Sequence, residues 1–234
     1  SVIMRSQKDG INLPATERPQ PWDAEHIAMW RKYAKLHTQL YPYLQAAAEE
    51  YYATGMPIMR HHLLTDADDA LAHGRDDQYL FGPDILVGPV VSAGATRRSI
   101  YLPEGDWVEW WRSVEYAETS GGYSLLTSRM HAGSKEVVVD APREEIPMFV
   151  RAGAVIPMLT PDVYTLAQHG AADPSIVRLA DRADQVHLLA FPRGTTSGRF
   201  FDSGAYSSSA APDRWTLSLD DSVARTESLR PSRS

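Results

Sequence analysis

The chain has 234 residues, a formal net charge of −7 and no cysteine. An acidic chain without a basic run argues against a nucleic-acid partner, and the lack of cysteine excludes disulfide bonds. No apolar stretch approaches the ~20 residues that span a bilayer, and the N-terminal residues lack the pattern of a secretory signal. We therefore expect no membrane association and favour a cytoplasmic location.

Two helices are the first long elements that the sequence predicts. Apolar and aromatic side chains recur at steps of three and four residues, which is typical of one helical face. These residues are Ile27, Trp30, Ala34, His37, Tyr41, Leu44, Ala48 and Tyr51. Pro42 interrupts the run, because proline lacks the N–H that an interior helical residue donates. We expect helices near residues 23–40 and 42–54, or one kinked helix, with Asp23 as N-cap and Gly55 at the end.

Beyond residue 57 the pattern changes from that of helices to that of strands. Residues 57–64 predict a short extended segment, residues 65–77 an acidic loop with a helical turn, and residues 84–91 a strand buried on both faces. Many short strands with glycine and proline turns then predict β-sandwiches. The further candidate strands are residues 98–102, 107–111, 136–139, 148–151, 154–158, 186–191, 198–201 and 214–219. We predict a linker over 159–185 and a disordered tail over 225–234.

Two helices followed only by strands are an unusual composition for one independent domain, because the apolar helical face needs a partner. A complete (β/α)8 barrel takes ~250 residues and cannot fit here beside two β units. The sequence therefore predicts an α/β plus all-β chain, the end of a (β/α)8 barrel followed by proximal and distal β-sandwich units. We place the three parts at residues 1–84, 85–160 and 161–234.

Seven motifs follow one another between residues 4 and 204. They are Met4-Arg5-Ser6-Gln7 with Pro21-Trp22, Tyr41-Pro42-Tyr43-Leu44, Gly55-Met56-Pro57-Ile58-Met59-Arg60, the string from Gln78 to Val90, Tyr101-Leu102-Pro103 with Gly105-Asp106-Trp107, the string from Pro147 to Pro157, and Phe200-Phe201-Asp202-Ser203-Gly204. In this order and spacing they resemble the segment that follows most of the catalytic barrel in glycoside hydrolase family 31, the α-glucosidase and α-xylosidase group.

The resemblance implies the C-terminal part of a retaining α-glycosidase that hydrolyses O-glycosyl bonds at non-reducing ends. Such an enzyme uses one carboxylate as nucleophile and a second carboxyl as acid and base, roughly 5–5.5 Å apart. In the family both are aspartates upstream of the segment that this chain resembles. We therefore assign no catalytic residue and expect the chain alone to be inactive. The implied partner is an α-glycoside or oligosaccharide substrate, without a cofactor, and the oligomeric state stays open.

One departure from the family pattern concerns sugar binding. The family has a histidine in the last barrel loop that donates hydrogen bonds to sugar hydroxyls, and this chain has Gln7 at that place. A carboxamide can both donate and accept hydrogen bonds, so it can still bind vicinal hydroxyls. The resemblance thus implies that Gln7 lines the sugar subsite.

Two other interpretations stay open. The first is a non-catalytic carbohydrate-binding or scaffolding protein derived from the same fold. The second is an unrelated β-sandwich interaction module, in which the helices over 23–54 would fold against the sandwich instead of exposing an apolar stripe.

Three residue groups suggest chemistry but have simpler explanations. His61 and His62 would point to opposite faces of a strand, so we predict structural roles and no metal site. The aspartates between residues 65 and 77 lack the spacing of a calcium loop, so we predict a solvated loop. Alternation along a strand would put Trp107 and Trp111 on one face and Trp110 on the other. For these tryptophans we favour packing in the core over stacking on a sugar ring.

Overall fold

The computed structural model describes residues 23–24, 26–117, 119–167, 173–199, 205–211 and 214–220. The motifs at residues 4–7, 21–22 and 200–204 and the predicted tail at 225–234 lie outside this part.

Two helices begin the described part, as predicted. α1 spans Ile27–Gln39 and α2 spans Tyr41–Thr54. Gly55 ends α2 with a φ of 81°, a conformation that glycine adopts without strain. The N-cap of α1 is His26 and not the predicted Asp23. The reason is a turn in which the Asp23 carbonyl accepts the N–H groups of His26 and Ile27, which moves the helix start three residues along.

The helical face that is buried in the described part is not the apolar stripe that the spacing identified. The helical residues that are buried are Lys32, Tyr33, Leu36, Gln39, Pro42, Tyr43 and Ala47, together with Leu40 between the helices. Ile27 and Tyr51, from the predicted stripe, are 41% and 50% exposed. Both faces carry apolar residues, so periodicity indicated a helix without fixing which face is covered. Tertiary hydrogen bonds favour the tyrosine face, since Tyr33 Oη donates to the Glu144 carbonyl and accepts from the Ile146 N–H.

The rest of the described chain consists of short helices and fifteen strands. The helices are α3 (His62–Thr65), α4 (Ala70–His73), α5 (Trp110–Ser113) and a 3-10 turn (Leu179–Arg182). The strands are β1 (Met59–Arg60), β2 (Tyr79–Phe81), β3 (Ile85–Val87), β4 (Arg97–Leu102), β5 (Asp106–Glu109), β6 (Val114–Tyr116), β7 (Tyr123–Leu125), β8 (Met130–Ala132), β9 (Lys135–Asp140), β10 (Met148–Arg151), β11 (Val155–Met158), β12 (His187–Ala190), β13 (Thr195–Arg199), β14 (Ala205–Ala211) and β15 (Arg214–Asp220).

A six-stranded antiparallel sheet forms the centre, in the order β1-β2-β3-β10-β5-β8. Successive side chains of a strand point to opposite faces. One face presents Phe81, Ile85, Val87, Val108, Met148 and Val150 to α1, α2 and the β11–β12 pair. The other presents Leu80, Leu86, Trp107 and Phe149 to the β4–β9 pair. β3, the regular part of the strand predicted over 84–91, is therefore buried on both faces, whereas Val90 and Val91 at the end of that range are exposed.

Smaller sheets complete the fold. β6 pairs with β7, β11 with β12, and β13, β14 and β15 form a three-stranded antiparallel sheet. Hydrogen bonds cross both predicted domain boundaries, because β1 and β2 belong to the central sheet with β3, and β11 pairs with β12 across residues 159–185. The three-part division stays a prediction. No helix in the described ranges is long and apolar enough to cross a membrane.

Candidate functional site

Tyr43 and Gly82, from two different motifs, lie in direct contact. Gly82 follows β2 with a φ of 61°, and a Cβ placed there would lie 2.5 Å from Tyr43 Oη. That hydroxyl donates to the Phe81 carbonyl at 2.9 Å and accepts from the Asp84 N–H at 2.9 Å. Burial raises the Tyr43 pKa well above its usual value, so the phenol stays neutral and can donate. The contact fixes α2 on the β2–β3 turn, and it requires glycine at position 82.

Gln78 joins its own motif to the next one. Its side-chain amide donates from Nε2 to the Tyr101 carbonyl at 2.7 Å and accepts at Oε1 from the Tyr101 N–H at 2.9 Å. Gln78 and Tyr101 are both 3% exposed. The amide thus hydrogen-bonds to the backbone of β4 in the way a neighbouring strand would. It thereby attaches the segment before β2 to the β4–β9 pair.

Trp107 connects the next two motifs. Its indole Nε1 donates to the Pro103 carbonyl at 2.9 Å, within the turn that precedes β5. The guanidinium of Arg151 lies 4.4 Å from the Trp107 ring centroid, and Arg151 Nη1 donates to the Glu104 carbonyl at 3.2 Å. A cation over an indole face is an attractive contact, strengthened by exclusion of water. The turn between β4 and β5 is therefore clamped from two sides.

A charged cluster surrounds the C-terminal end of α2. Arg60 is buried, forms an ion pair with Glu50 and donates from Nε to the Pro57 carbonyl at 2.9 Å. Burial raises the pKa of Asp84 to about 6, against the opposing effect of the nearby Arg151 and Arg60 guanidinium groups. These charges hold α2 and the start of the central sheet together. Their chemistry is that of a structural ion cluster.

The predicted substrate residue, Gln7, lies outside the described residues, so its role stays a prediction. Among the residues that the structure describes, no group of three or more His, Asp or Glu side chains is arranged to hold a metal ion.

The tryptophan prediction was wrong in its geometry. The expected strand over 107–111 ends at Glu109, and Trp110 begins α5. Trp111 Nε1 donates to the Ile146 carbonyl at 2.6 Å, which holds the helical turn in place. Trp107, Trp110 and Trp111 are all buried, at 0%, 0% and 8% exposure, so they form core and no open sugar platform.

The histidine pair is structural, but not for the predicted reason. The two residues lie at the start of α3 and not on a strand. His61 is exposed and its Nδ1 accepts from the Leu63 N–H at 3.1 Å, which caps the helix. His62 is fully buried, between the carboxylate of Asp66 and the amide of Gln78.

The acidic segment is only partly the solvated loop that we predicted. Asp68 and Asp76 are exposed. In contrast, Asp69 Oδ1 caps α4 by accepting from two backbone N–H groups, and Asp77 forms an ion pair with Arg98 at 2.5 Å. Burial raises the pKa of Asp66, but hydrogen bonds from His62 and Thr65 lower it more, so the net shift is downward. Spacing in sequence could not identify these partners.

The chain is similar to known proteins over most of its length. Residues 55–156 match the model of the glycosyl hydrolase family 31 C-terminal domain. The chain is 29% identical to an isomaltosyltransferase from Sporosarcina globispora, over 80% of this chain and 16% of that protein. It is 31% identical to an alpha-xylosidase from Saccharolobus solfataricus, over 64% of this chain and 19% of that protein.

A solved structure extends the likeness to the fold. A mutant form of the family 31 dextranase of Flavobacterium johnsoniae, complexed with isomaltotriose, matches with a TM-score of 0.65 and 26% identity, over 86% of this chain and 24% of that chain. The chain spans less than a quarter of the length of each of these three proteins. Over residues 55–156, the chain is therefore similar to the C-terminal domain of glycosyl hydrolase family 31.

Proposed function

We propose that the chain is the C-terminal part of a retaining α-glycosidase of the α-glucosidase type, which hydrolyses O-glycosyl bonds at the non-reducing ends of its substrates. The observation that carries the proposal is the match to the family domain over residues 55–156, within which motif residues such as Gln78 and Tyr101 contact one another. The named relatives include an alpha-xylosidase and a dextranase in complex with isomaltotriose, which supports an α-glycoside or oligosaccharide as substrate.

The reacting carboxyl groups belong, in this proposal, to aspartates in an upstream part of the intact enzyme. One would attack the anomeric carbon and the other would protonate the leaving oxygen, at a separation of roughly 5–5.5 Å. The chain by itself would then be inactive. Gln7 would lie at the sugar subsite and bind hydroxyl groups through its carboxamide.

The described residues would support the barrel. We assign residues 1–84 to the end of the (β/α)8 barrel and residues 85–160 and 161–234 to the proximal and distal β units. α1 and α2 pack one face on the central sheet through Tyr33, Leu36 and Tyr43. Their other face includes the exposed Ile27 and Tyr51, and it would contact the remaining barrel. Helices that pack closely on the sandwich on one side and on the barrel on the other would fix the position of the sandwich relative to the barrel.

A chimeric enzyme tests the proposal. This chain would replace the matching C-terminal segment of the Flavobacterium johnsoniae dextranase, which shares its fold over 86% of this chain. We expect a folded chimera with measurable dextranase activity. The matched control is the dextranase truncated at the same junction, which should be unstable and inactive. A chimera that folds without activity, while the isolated chain binds α-glucan oligosaccharides, would instead favour the non-catalytic carbohydrate-binding alternative.

A further inference from the structure

His62 occupies a closed polar site between three elements. Its ring is 0% exposed, with Nδ1 2.9 Å from Asp66 Oδ2 and Nε2 2.9 Å from Gln78 Nε2. Asp66 follows α3, and Gln78 precedes β2 and binds the backbone of Tyr101 on β4. His62 thus touches the group that attaches the segment 62–78 to the opposite layer of the fold.

The heavy-atom geometry assigns every proton in this contact. The Gln78 amide cannot be flipped, because Oε1 must accept from the Tyr101 N–H while Nε2 donates to the Tyr101 carbonyl. The second N–H of Gln78 Nε2 then points at His62 Nε2, which must accept through its lone pair. His62 is therefore neutral, with its proton on Nδ1 and donated to Asp66.

A protonated His62 would conflict with this arrangement. Imidazolium carries an N–H on both nitrogens, so two donors would face each other across the 2.9 Å contact with Gln78. The amide could turn its oxygen to His62 only by giving up both hydrogen bonds to Tyr101. We propose that His62 is an acid-sensitive latch: when it takes up a proton, the Gln78 amide releases the Tyr101 backbone and the segment 62–78 loosens on β4.

Titratable and charged groups from several elements of the fold surround His62. The titratable and charged groups near His62 are Asp66 and His61 from its own segment, Asp69 and His73 at α4, Arg75 in the following loop, Tyr101 on β4, and Arg151 on β10, which acts on Asp66. Of these groups, Asp66 is in direct hydrogen-bond contact with the ring, with its Oδ2 2.9 Å from Nδ1.

A second contact keeps the segment attached. Tyr101 Oη donates to Asp69 Oδ2 at 2.8 Å, and burial, with that carboxylate, raises the pKa of Tyr101 to about 12. The phenol therefore stays protonated throughout the acid range. The Arg98 guanidinium also binds Asp77, both at the Asp77 carboxylate and at the Asp77 backbone carbonyl. The proposed latch thus acts locally, on the backbone of Tyr101, without detaching the whole segment.

Nuclear magnetic resonance on the full chain tests the proposal in two measurements. Nitrogen shifts of the His62 ring should show the Nδ1–H tautomer at neutral pH. Exchange of the Tyr101 amide hydrogen, corrected for its intrinsic pH dependence, should then speed up about tenfold as His62 becomes protonated, which corresponds to the loss of about one hydrogen bond.

Two variants provide the matched comparison. His62→Gln places a side chain that can accept from Gln78 and donate to Asp66 but does not titrate, so Tyr101 exchange should lose its acid-dependent step. His61→Gln changes the exposed neighbour and should retain that step. An Nε2–H tautomer in the wild-type chain would overturn the proposal, as would constant Tyr101 protection across His62 titration. If His62→Gln does not fold, the two wild-type measurements still decide the question.

Discussion

Substitution of Gly82 tests whether the motif contacts are structural requirements. Gly82→Ala places a Cβ in the left-handed region at φ 61°, which costs about 1 kcal/mol. The same Cβ would lie 2.5 Å from Tyr43 Oη, so the ring must move. The two hydrogen bonds of that hydroxyl contribute about 1 kcal/mol each. We expect a loss of about 3 kcal/mol in the free energy of unfolding.

Gly94 provides the matched control. It has a φ of 72°, and nothing lies within 4 Å of a Cβ built there. Gly94→Ala should therefore lose only the backbone contribution, about 1 kcal/mol. Urea denaturation followed by tryptophan fluorescence measures both variants against the wild-type chain. Equal losses for Gly82→Ala and Gly94→Ala would refute the reasoning, because the Tyr43 contact would then contribute nothing.

Three further predictions concern a carboxyl group, a tryptophan and the expected sugar ligand. Asp84 has a folded pKa of about 6, against ~3.9 for a free carboxyl, so the folded chain binds the proton more tightly. Protonated Asp84 therefore contributes to the free energy of unfolding at low pH, and this contribution is lost as pH rises from about 4 to about 6. In Asp84→Asn, the fall in the free energy of unfolding over this pH range should disappear from a profile measured by denaturation. Trp107→Phe removes the hydrogen bond to Pro103 and weakens the Arg151 contact, so we expect a loss of about 2 kcal/mol in denaturation, larger than for Trp30→Phe at a half-buried site. In the intact enzyme, Gln7→Ala should raise KM for an α-glycoside, and unchanged kinetics would contradict a sugar-binding role.

The controls for these variants are simple. A pH profile of Asp84→Asn that parallels the wild-type profile would contradict the raised pKa. Equal losses at Trp107 and Trp30 would show that the clamp on the β4–β5 turn adds nothing to ordinary packing.

Sequence patterns predicted those elements whose cause is local. β10 has the predicted bounds, and the apolar run that contains β3 predicted burial on both faces. Pro42 and Gly55 correctly separated and ended the helices, because both act through backbone geometry at their own positions. The family resemblance rests on residues such as Gly82, a position where the local structure accepts only one residue type.

The errors arose where distant residues decide the outcome. Trp110 and Trp111 have strong β propensity, but the Ile146 carbonyl, 35 positions away, holds Trp111 in a helical turn. Gln39 would be assigned to the surface from its polarity, yet it is 1% exposed because the Gly121 carbonyl and the Tyr116 hydroxyl satisfy its amide. The contact between His62 and Gln78 could not be predicted for the same reason, since Gln78 lies sixteen positions along the chain.

Hydrolysis of an aryl α-glucoside by the purified 234-residue chain tests whether these residues alone can perform the proposed reaction. If both reacting aspartates lie in another part of the intact enzyme, as we propose, the aryl group should not be released above the buffer rate. Release that increases with chain concentration and persists through purification would contradict this proposal, because the acid and the nucleophile would then have to lie among these residues.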